Sequence, residues 1–118
     1  MKKITTRGFR VPGFKASGIS CGIKTHGDKD LALIYADSPS TAAGVFTKNE
    51  VVSPTITLNR KALKGSKPFR AVLVNSGNAN ACTGLRGMED CDALIFRLAG
   101  ELSISPQEIL IASTGIIG

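Results

Sequence analysis

The chain has 118 residues, which suits one domain able to bury roughly two-thirds of the surface that its unfolded form exposes. Its hydrophobic content of 42% and charged content of 20% exclude a largely disordered chain. Fifteen Lys and Arg against nine Asp and Glu give a formal net charge of +6, but no nucleic-acid-binding motif accompanies it and no apolar run reaches the length of a membrane span.

The first half of the chain is predicted to contain two strands and a helix. Residues 31–36 form a compact apolar run between the turn-type sequences HGDKD and DSPS, which is typical of a buried strand. A second strand is predicted at residues 42–47, and we expect it to lie antiparallel beside the first. Ser53 and Pro54 supply a cap and a first helical residue, so a helix is expected from there to about Leu63.

The second half alternates strands and helices. Residues 69–74 are the clearest strand, and residues 88–102 carry apolar side chains on one face of a predicted helix. Ser105 and Glu108 match the capping box S-x-x-E of a short helical turn, and residues 108–112 are predicted to form a closing buried strand. Strands at both ends with helices between them indicate a mixed α/β layered domain.

The cysteines indicate a reducing compartment. Cys21, Cys82 and Cys91 are odd in number and widely spaced, and His26 is the only histidine, so neither a disulfide framework nor a zinc site is expected. We predict that all three thiols are reduced and packed. The opening MKKITTRGFRVPGF is basic but has no apolar core of signal-peptide length, so a cytoplasmic protein is expected.

The sequence NSGNANACTG, residues 75–84, is the most unusual stretch. It follows a predicted strand directly and offers Asn75, Asn78 and Asn80, whose amides both donate and accept hydrogen bonds and tolerate left-handed backbone. Such a stretch either builds a rigid turn or contacts a polar ligand, and these three residues are our candidates for substrate binding. It is not a phosphate-binding loop, because no Gly-Lys-Ser/Thr follows.

The sequence ASTGIIG, residues 112–118, allows two interpretations. It is either an ordinary turn at the end of a strand or a tip whose Thr114 hydroxyl and Gly115 N–H stabilise an oxyanion. Ser113 is not a nucleophile elbow, because Gly-x-Ser-x-Gly is absent. A Ser-His-Asp triad would require His26, which lies in an exposed-looking loop.

Four stretches together resemble a known family. They are GFKASGISCGIK (13–24), DLALIYADSPSTAAGVFTKN (30–49), VNSGNANACTGLRG (74–87) and ASTGIIG (112–118). In this order they closely resemble the N-terminal part of ornithine acetyltransferase, the bifunctional glutamate N-acetyltransferase of arginine biosynthesis. The resemblance implies a mixed-sheet layered α/β sandwich of that self-processing type.

The resemblance also implies a reaction. Members of the family are acyltransferases that move an acetyl group from N-acetylornithine to an enzyme threonine and then to glutamate, releasing ornithine and N-acetylglutamate; some also accept acetyl-CoA. Autocatalytic cleavage at an Ala-Thr bond gives α and β chains, two of each per heterotetramer, and the new N-terminal Thr is the nucleophile, with its own α-amine as base. The Thr and Gly of the Ser-Thr-Gly motif form the oxyanion hole, which the resemblance places at Thr114 and Gly115.

Residues 1–118 are therefore expected to be the N-terminal part of such an α chain. The sequence contains no Ala-Thr dipeptide, so the nucleophile-bearing β chain and the Lys, Glu and Asn groups that bind substrate are expected elsewhere, and this chain alone is expected not to catalyse. Two alternatives stay open: a segment of a related self-processing aminopeptidase, against which the Asn-rich stretch argues, and a non-catalytic module that binds an acidic partner. The module would use a basic cluster of Arg60, Lys61, Lys64, Lys67 and Arg70, beside Phe69.

Overall fold

A computed structural model of the protein describes residues 11–65 and 67–118; the basic opening, residues 1–10, lies outside them. In chain order the elements are β1 (Phe14–Ile19), β2 (Leu31–Ser40), α1 (Pro54–Lys64), β3 (Phe69–Asn78), α2 (Gly84–Leu102), a single 3-10 turn (Pro106–Glu108) and β4 (Ile109–Ile116). In this described part, neither helix combines the length and apolar character needed to cross a bilayer.

The strands form one mixed sheet in the order β1-β2-β3-β4. β1 with β2 and β2 with β3 are antiparallel, whereas β3 and β4 are parallel. A parallel pair needs a long crossover connection, and α2 supplies it. The mixed α/β layered class that the sequence predicts is confirmed.

Alternate residues of β3 and β4 face the helices and form the core. Among the buried apolar side chains of these strands, Ala71, Leu73, Ile109 and Ile111 pack against Cys91 and Ala99 of α2. Because side chains alternate across a strand, Asn75 and Ser113 continue this helix-facing row. Ser76 and Thr114 therefore lie on the opposite face of the sheet.

One predicted strand is wrong, and one real strand was missed. Residues 42–47 have no strand structure, and β1 takes the antiparallel place beside β2 that we expected them to occupy. The segment is held instead by side chains of α1: the Arg60 guanidinium lies 5.7 Å from the centre of the Phe46 ring and donates to the carbonyl oxygen of Thr47. Phe46 therefore lies against a helix, whereas Val45 is 99% exposed, so this apolar run does not mark a buried strand.

The other predicted elements exist, with shifted ends. α1 is confirmed with Pro54 as its first residue, but the Ser53 side chain makes no capping bond and is hydrogen-bonded to the Thr55 hydroxyl instead. The capping box between Ser105 and Glu108 is confirmed, and α2 begins at Gly84, earlier than the predicted residue 88. The strands predicted at 69–74 and 108–112 continue to Asn78 and Ile116. These extensions are polar and glycine-rich, so no apolar pattern reveals them; the two segments pair with each other.

The packing prediction holds for one cysteine of three. Cys91 is buried in the core, but Cys21 and Cys82 are exposed. Cys82 has a φ of 60° and lies in the turn before α2, while Cys21 lies in the bend after β1. Neither segment belongs to the layered core, so a small apolar side chain there has nothing to pack against. All three thiols are free.

Candidate active site

The two motifs of unusual composition meet at the carboxyl ends of the parallel strands. The pairs in register are Asn75 with Ser113, Ser76 with Thr114, Gly77 with Gly115 and Asn78 with Ile116. The carboxyl ends of parallel strands are where open α/β sheets usually bind ligands. The fold thus brings together two sets of candidates that are far apart in the sequence.

Gly77 and Gly115 touch through their backbones. Their φ angles are 117° and 133°, in the region that glycine alone adopts readily. A Cβ atom added to Gly115 would lie 2.3 Å from the carbonyl carbon of Gly77 and 2.6 Å from the backbone nitrogen of Asn78. No side chain fits at Gly115, so the backbone of β4 packs directly against the backbone of β3 at this point.

The hydrogen bonds of β4 indicate where the Gly115 N–H is directed. Asn59 of α1 bonds the strand's outer edge at Ile111: its Nδ2 donates to the Ile111 carbonyl at 2.8 Å, and its Oδ1 accepts from the Ile111 N–H at 3.1 Å. On the other side, the Ile116 carbonyl accepts from the N–H of Ala79 at 2.9 Å. Because alternate residues of a strand direct their backbone groups to opposite sides, Gly115 shares the outward direction of Ile111.

Thr114 directly precedes Gly115 in β4, and its side chain is accessible to solvent. It is exposed on the face of the sheet opposite α2. Its neighbour Ser113 is engaged, because the Ser113 hydroxyl donates to Asn75 Oδ1 at 2.5 Å. Within residues 11–65 and 67–118, by contrast, no side-chain hydrogen bond uses the Thr114 hydroxyl. The hydroxyl of Thr114 and the outward N–H of Gly115 therefore belong to adjacent residues, which makes them candidates for the two donors of an oxyanion hole.

The asparagines shape the turn that follows β3. Asn75 Nδ2 donates to the backbone carbonyl of Asn78 at 2.8 Å, and Asn78 Oδ1 accepts from the backbone N–H of Asn80 at 2.7 Å. Asn80 itself has a φ of 49°, a left-handed conformation that asparagine tolerates. The side-chain amides thus replace the backbone pairing that a turn lacks.

Asn80 also fastens this turn to α2. Its Nδ2 donates to the Gly87 carbonyl at 2.9 Å and to Cys91 Sγ at 3.0 Å, and its Oδ1 accepts from the Thr83 hydroxyl at 2.6 Å. A Cβ atom on Gly87 would lie 1.9 Å from Thr83 Oγ1, so the helix backbone must be bare there. Burial raises the pKa of the Cys91 thiol, which keeps it neutral and suited to a packed position.

Asp30 is a residue of this site that the sequence did not reveal. It is only 2% exposed, and its carboxylate accepts backbone N–H groups from Cys21 at 2.7 Å, Ile23 at 2.7 Å and Lys24 at 3.0 Å. The N–H groups of Lys24 and Cys21 hold the pKa of Asp30 well below its ordinary value of 3.8. The same carboxylate raises the pKa of the Cys21 thiol. The weak available signal was an acidic residue placed directly before a buried strand.

Comparison with known proteins identifies the family. The sequence profile of the ArgJ family matches residues 15–118. The chain belongs to the ArgJ family. It is 48% identical over 106 residues to the "Arginine biosynthesis bifunctional protein ArgJ" of a Synechocystis strain, covering 90% of this chain and 26% of that relative. It is 49% identical over 107 residues to the chloroplastic ArgJ of Populus trichocarpa, covering 90% of this chain and 22% of the relative.

Solved ArgJ structures have the same fold. The ornithine acetyltransferase of Mycobacterium tuberculosis, solved in complex with ornithine, matches with a TM-score of 0.86 and 41% identity over 91% of this chain and 58% of that one. The Bacillus halodurans ArgJ structure matches with a TM-score of 0.86 and 36% identity over 91% and 56% of the two chains. The chain spans about a quarter of the length of the curated ArgJ relatives.

The family and the mixed-sheet α/β fold that the resemblance implied are thereby confirmed. Thr114 and Gly115 lie at adjacent, accessible positions, and their catalytic role stays a prediction. Asn75, Asn78 and Asn80 all have hydrogen-bonding roles within the turn, so their contact with substrate also stays a prediction. His26 is exposed in the loop before β2.

Part of the basic cluster is engaged in contacts within the chain and is therefore not available to an acidic partner. Arg60 is engaged with the segment that precedes α1, as described above, and Arg70 donates from Nε to the Ala36 carbonyl at 2.8 Å and stacks 4.9 Å from the centre of the Tyr35 ring. Two of the five basic side chains in the cluster therefore form contacts within the fold: Arg60 with the segment before α1, and Arg70 with β2. Nothing here favours the alternative of a module that binds an acidic partner.

Proposed function

We propose that this chain supplies the oxyanion-stabilising half of an acetyl-transfer site of the ArgJ type. The donor is N-acetylornithine and the acceptor is glutamate, so the protein serves arginine biosynthesis as an acyltransferase. Two things support the proposal: membership of a family whose relatives carry that biosynthetic name, and the adjacent, exposed positions of Thr114 and Gly115 at the end of β4.

In the proposed reaction, a threonine hydroxyl from outside these 118 residues attacks the acetyl carbonyl of N-acetylornithine. A new C–O bond forms while the carbonyl oxygen takes the electron pair of the C=O bond. The Thr114 hydroxyl and the Gly115 N–H donate hydrogen bonds to that oxygen. The C–N bond then breaks, the amine leaves as ornithine with the proton that the threonine gave up, and glutamate receives the acetyl group in the reverse sense.

The observation that carries the proposal is the close contact between Gly77 and Gly115. It leaves no room for a side chain at Gly115 and restricts movement of the backbone there, which supports a role for the Gly115 N–H as a fixed donor. Preorganised donors of this kind need no reorganisation as charge develops, which is why they lower barriers.

The partners follow from the same proposal. The remainder of an α chain and a β chain supply the nucleophile and the groups that bind substrate, within a heterotetramer of two α and two β chains. No metal or organic cofactor takes part, and acetyl-CoA serves as a second donor in those members that accept it. The protein works in the cytoplasm. Residues 1–118 then form the N-terminal part of the α chain.

The test uses a chimera in which this chain's own residues replace the matched segment of the full-length Synechocystis relative. Acetyl transfer from N-acetylornithine to glutamate is measured for Thr114→Ala, Thr114→Ser and Thr114→Val. We expect Thr114→Ala and Thr114→Val to lower kcat by about 100- to 1000-fold, as loss of one oxyanion donor does elsewhere. The KM should change much less, because the lost bond forms in the transition state.

Thr114→Ser keeps the hydroxyl and should retain most of the turnover. Thr57→Val is the matched control, because Thr57 is exposed on α1, and we expect it to leave kcat unchanged. Near-normal turnover in Thr114→Val would contradict the proposal, because valine keeps the β-branched shape of threonine and removes only the donor.

A further inference from the structure

Asp30 joins two segments that both lead to the candidate site. Its carboxylate gathers three backbone N–H groups of residues 21–24, a segment that we call the β1–β2 bend. Its own backbone is equally engaged: its N–H donates to the Ile19 carbonyl at 3.0 Å, and its carbonyl accepts from the Ser76 N–H at 2.8 Å. Asp30 therefore holds the β1–β2 bend and the end of β3 at once.

The β1–β2 bend lies directly against Gly77. A Cβ atom placed on Gly77 would lie 2.7 Å from Ile23 Cγ2 and 3.3 Å from Lys24 Cγ. A Cβ atom placed on Gly115 would in turn lie 2.3 Å from the carbonyl carbon of Gly77. Gly77 is thus enclosed between the Ile23 side chain and the backbone that presents the Gly115 N–H.

We propose that Asp30 is a positioning residue for acetyl transfer: by holding the β1–β2 bend, it seats Ile23 against Gly77 and so fixes the direction of the Gly115 N–H. The proposal rests on the proposed function, in which Gly115 is an oxyanion donor. Asp30 touches no reacting atom; it acts through Ile23 and Gly77.

The negative charge of Asp30 makes its hold on the β1–β2 bend strong. Asp30 is buried, and in the described part of the chain neither ion pair includes it, so its charge is balanced mainly by the three backbone N–H groups. Bonds from N–H groups to a carboxylate are shorter and stronger than those to a neutral acceptor. Three of them converging on one side chain make a stiff support, which suits a group that must hold a backbone within fractions of an ångström.

The experiment uses the chimera and two exposed isoleucines. Ile23 is 40% exposed and Ile19 is 52% exposed, so truncating either should leave the fold intact. We expect Ile23→Ala to lower kcat by about 10-fold while KM stays within about 2-fold, because misplacing a catalytic group slows the chemical step. Ile19→Ala, which does not face Gly77, should leave both parameters unchanged. Ile23→Val keeps the γ-methyl and should restore turnover.

Asp30→Asn is the second variant. Its amide keeps one acceptor oxygen and turns an NH2 group toward an N–H that needs an acceptor, so kcat should fall by about 10- to 100-fold. If Asp30 served folding alone, Asp30→Asn would lower the melting temperature and leave the kcat of the folded enzyme normal. Ile23→Ala and Ile23→Val would then have the same kcat. If Asp30→Asn does not fold, Ile23→Ala decides.

The outcomes separate this proposal from the one it rests on. Loss of turnover in Thr114→Val together with normal turnover in Ile23→Ala overturns the positioning role of Asp30 and leaves the oxyanion hole standing. Normal turnover in Thr114→Val overturns the oxyanion hole itself, whatever the Asp30 and Ile23 variants do. Loss of turnover in Thr114→Val and Ile23→Ala, with recovery in Ile23→Val, supports both.

Discussion

The parallel and antiparallel halves of the sheet differ in how closely their backbones are packed. In the parallel half, a Cβ atom on Gly115 would overlap the backbone of β3. In the antiparallel half, a Cβ atom on Gly18 of β1 would meet Lys29 Cδ at 3.6 Å and the Leu31 carbonyl oxygen at 3.7 Å, which are ordinary contacts. Both glycines lie in strands, yet only Gly115 has no room for a side chain. The candidate site thus lies in the half of the sheet where the backbones are packed too closely for an added Cβ atom.

This difference has a physical cause. An oxyanion donor must stay where the oxygen will be, so the backbone around it must resist displacement. Close contact between two main chains provides that resistance, because backbone atoms cannot change rotamer as side chains do. Apart from the β1–β2 bend, the antiparallel half needs only to hold the sheet together, and hydrogen-bonded pairing is sufficient for that purpose.

The largest expected effect comes from Gly115→Ala. The added methyl meets backbone atoms at 2.3 to 2.6 Å at a φ of 133°, so the chimera should lose about 3 kcal/mol or more of stability and nearly all turnover. Gly18→Ala is the matched control: it should change stability by no more than about 1 kcal/mol and leave turnover normal. Thermal unfolding and acetyl-transfer assays measure both. Equal effects at the two positions would refute the comparison.

A similar contrast is expected within α2. Gly87→Ala should destabilise by about 1–3 kcal/mol, because the methyl would displace Thr83 and Asn80 from their hydrogen bond and loosen the turn after β3. Gly100→Ala, near the other end of the same helix, meets nothing within 4 Å and should stabilise by about 0.5–1 kcal/mol. Melting temperatures that move in opposite directions would support the contrast. A stabilised Gly87→Ala protein would mean that the Asn80 network does not fasten the turn.

The sequence predicts the apolar parts of this fold well and the polar parts poorly. The strand at 69–74 and the helix after Ser53 are evident because burial imposes a period or an apolar run. β1 was missed because it contains Lys15 and Ser17 and lies at an exposed edge. The paired ends of β3 and β4 were missed because main-chain bonds hold them, and these leave no composition signal beyond glycine.

The candidate site divides in the same way. From composition alone, Thr114 and Gly115 fitted either an ordinary turn, which was favoured, or an oxyanion hole, and only the family resemblance shifted the balance to the oxyanion hole. Asp30 was not found, because its role depends on three N–H groups that are brought to it by a bend. A single buried acid leaves no periodic pattern, and only the folded geometry distinguishes it from the exposed Asp28.

A smaller effect, dependent on pH, is expected from Asp30→Asn. The folded protein holds the Asp30 pKa below its unfolded value of 3.8, so the carboxylate contributes stability above that value and loses the contribution as the pH falls toward the folded pKa. The original chimera should therefore lose stability more steeply than Asp30→Asn between about pH 5 and pH 3. Melting temperatures across this range measure the difference. Parallel pH profiles would mean that the three N–H bonds do not hold the carboxylate in its charged form.

The smallest expected effect belongs to the antiparallel half, where Lys15 of β1 forms an ion pair with Asp37 of β2. The two side chains are 56% and 45% exposed, so solvent and salt screen the attraction, and ordering two side chains offsets much of the gain. Asp37→Asn should therefore destabilise the chimera by no more than about 1 kcal/mol and leave kcat unchanged.

The Arg97–Glu101 pair on α2 serves as the matched control, because it is also exposed and spans one helical turn. Glu101→Gln should cost about as little as Asp37→Asn, and raising the salt concentration should shrink both effects. A loss of turnover in Asp37→Asn without a matching loss in Glu101→Gln would show that the paired strands β1 and β2, and not only the bend between them, set the geometry of the site. The contrast between the two halves would then have to be abandoned, because a charge at the far strands would matter as much as a methyl group between β3 and β4.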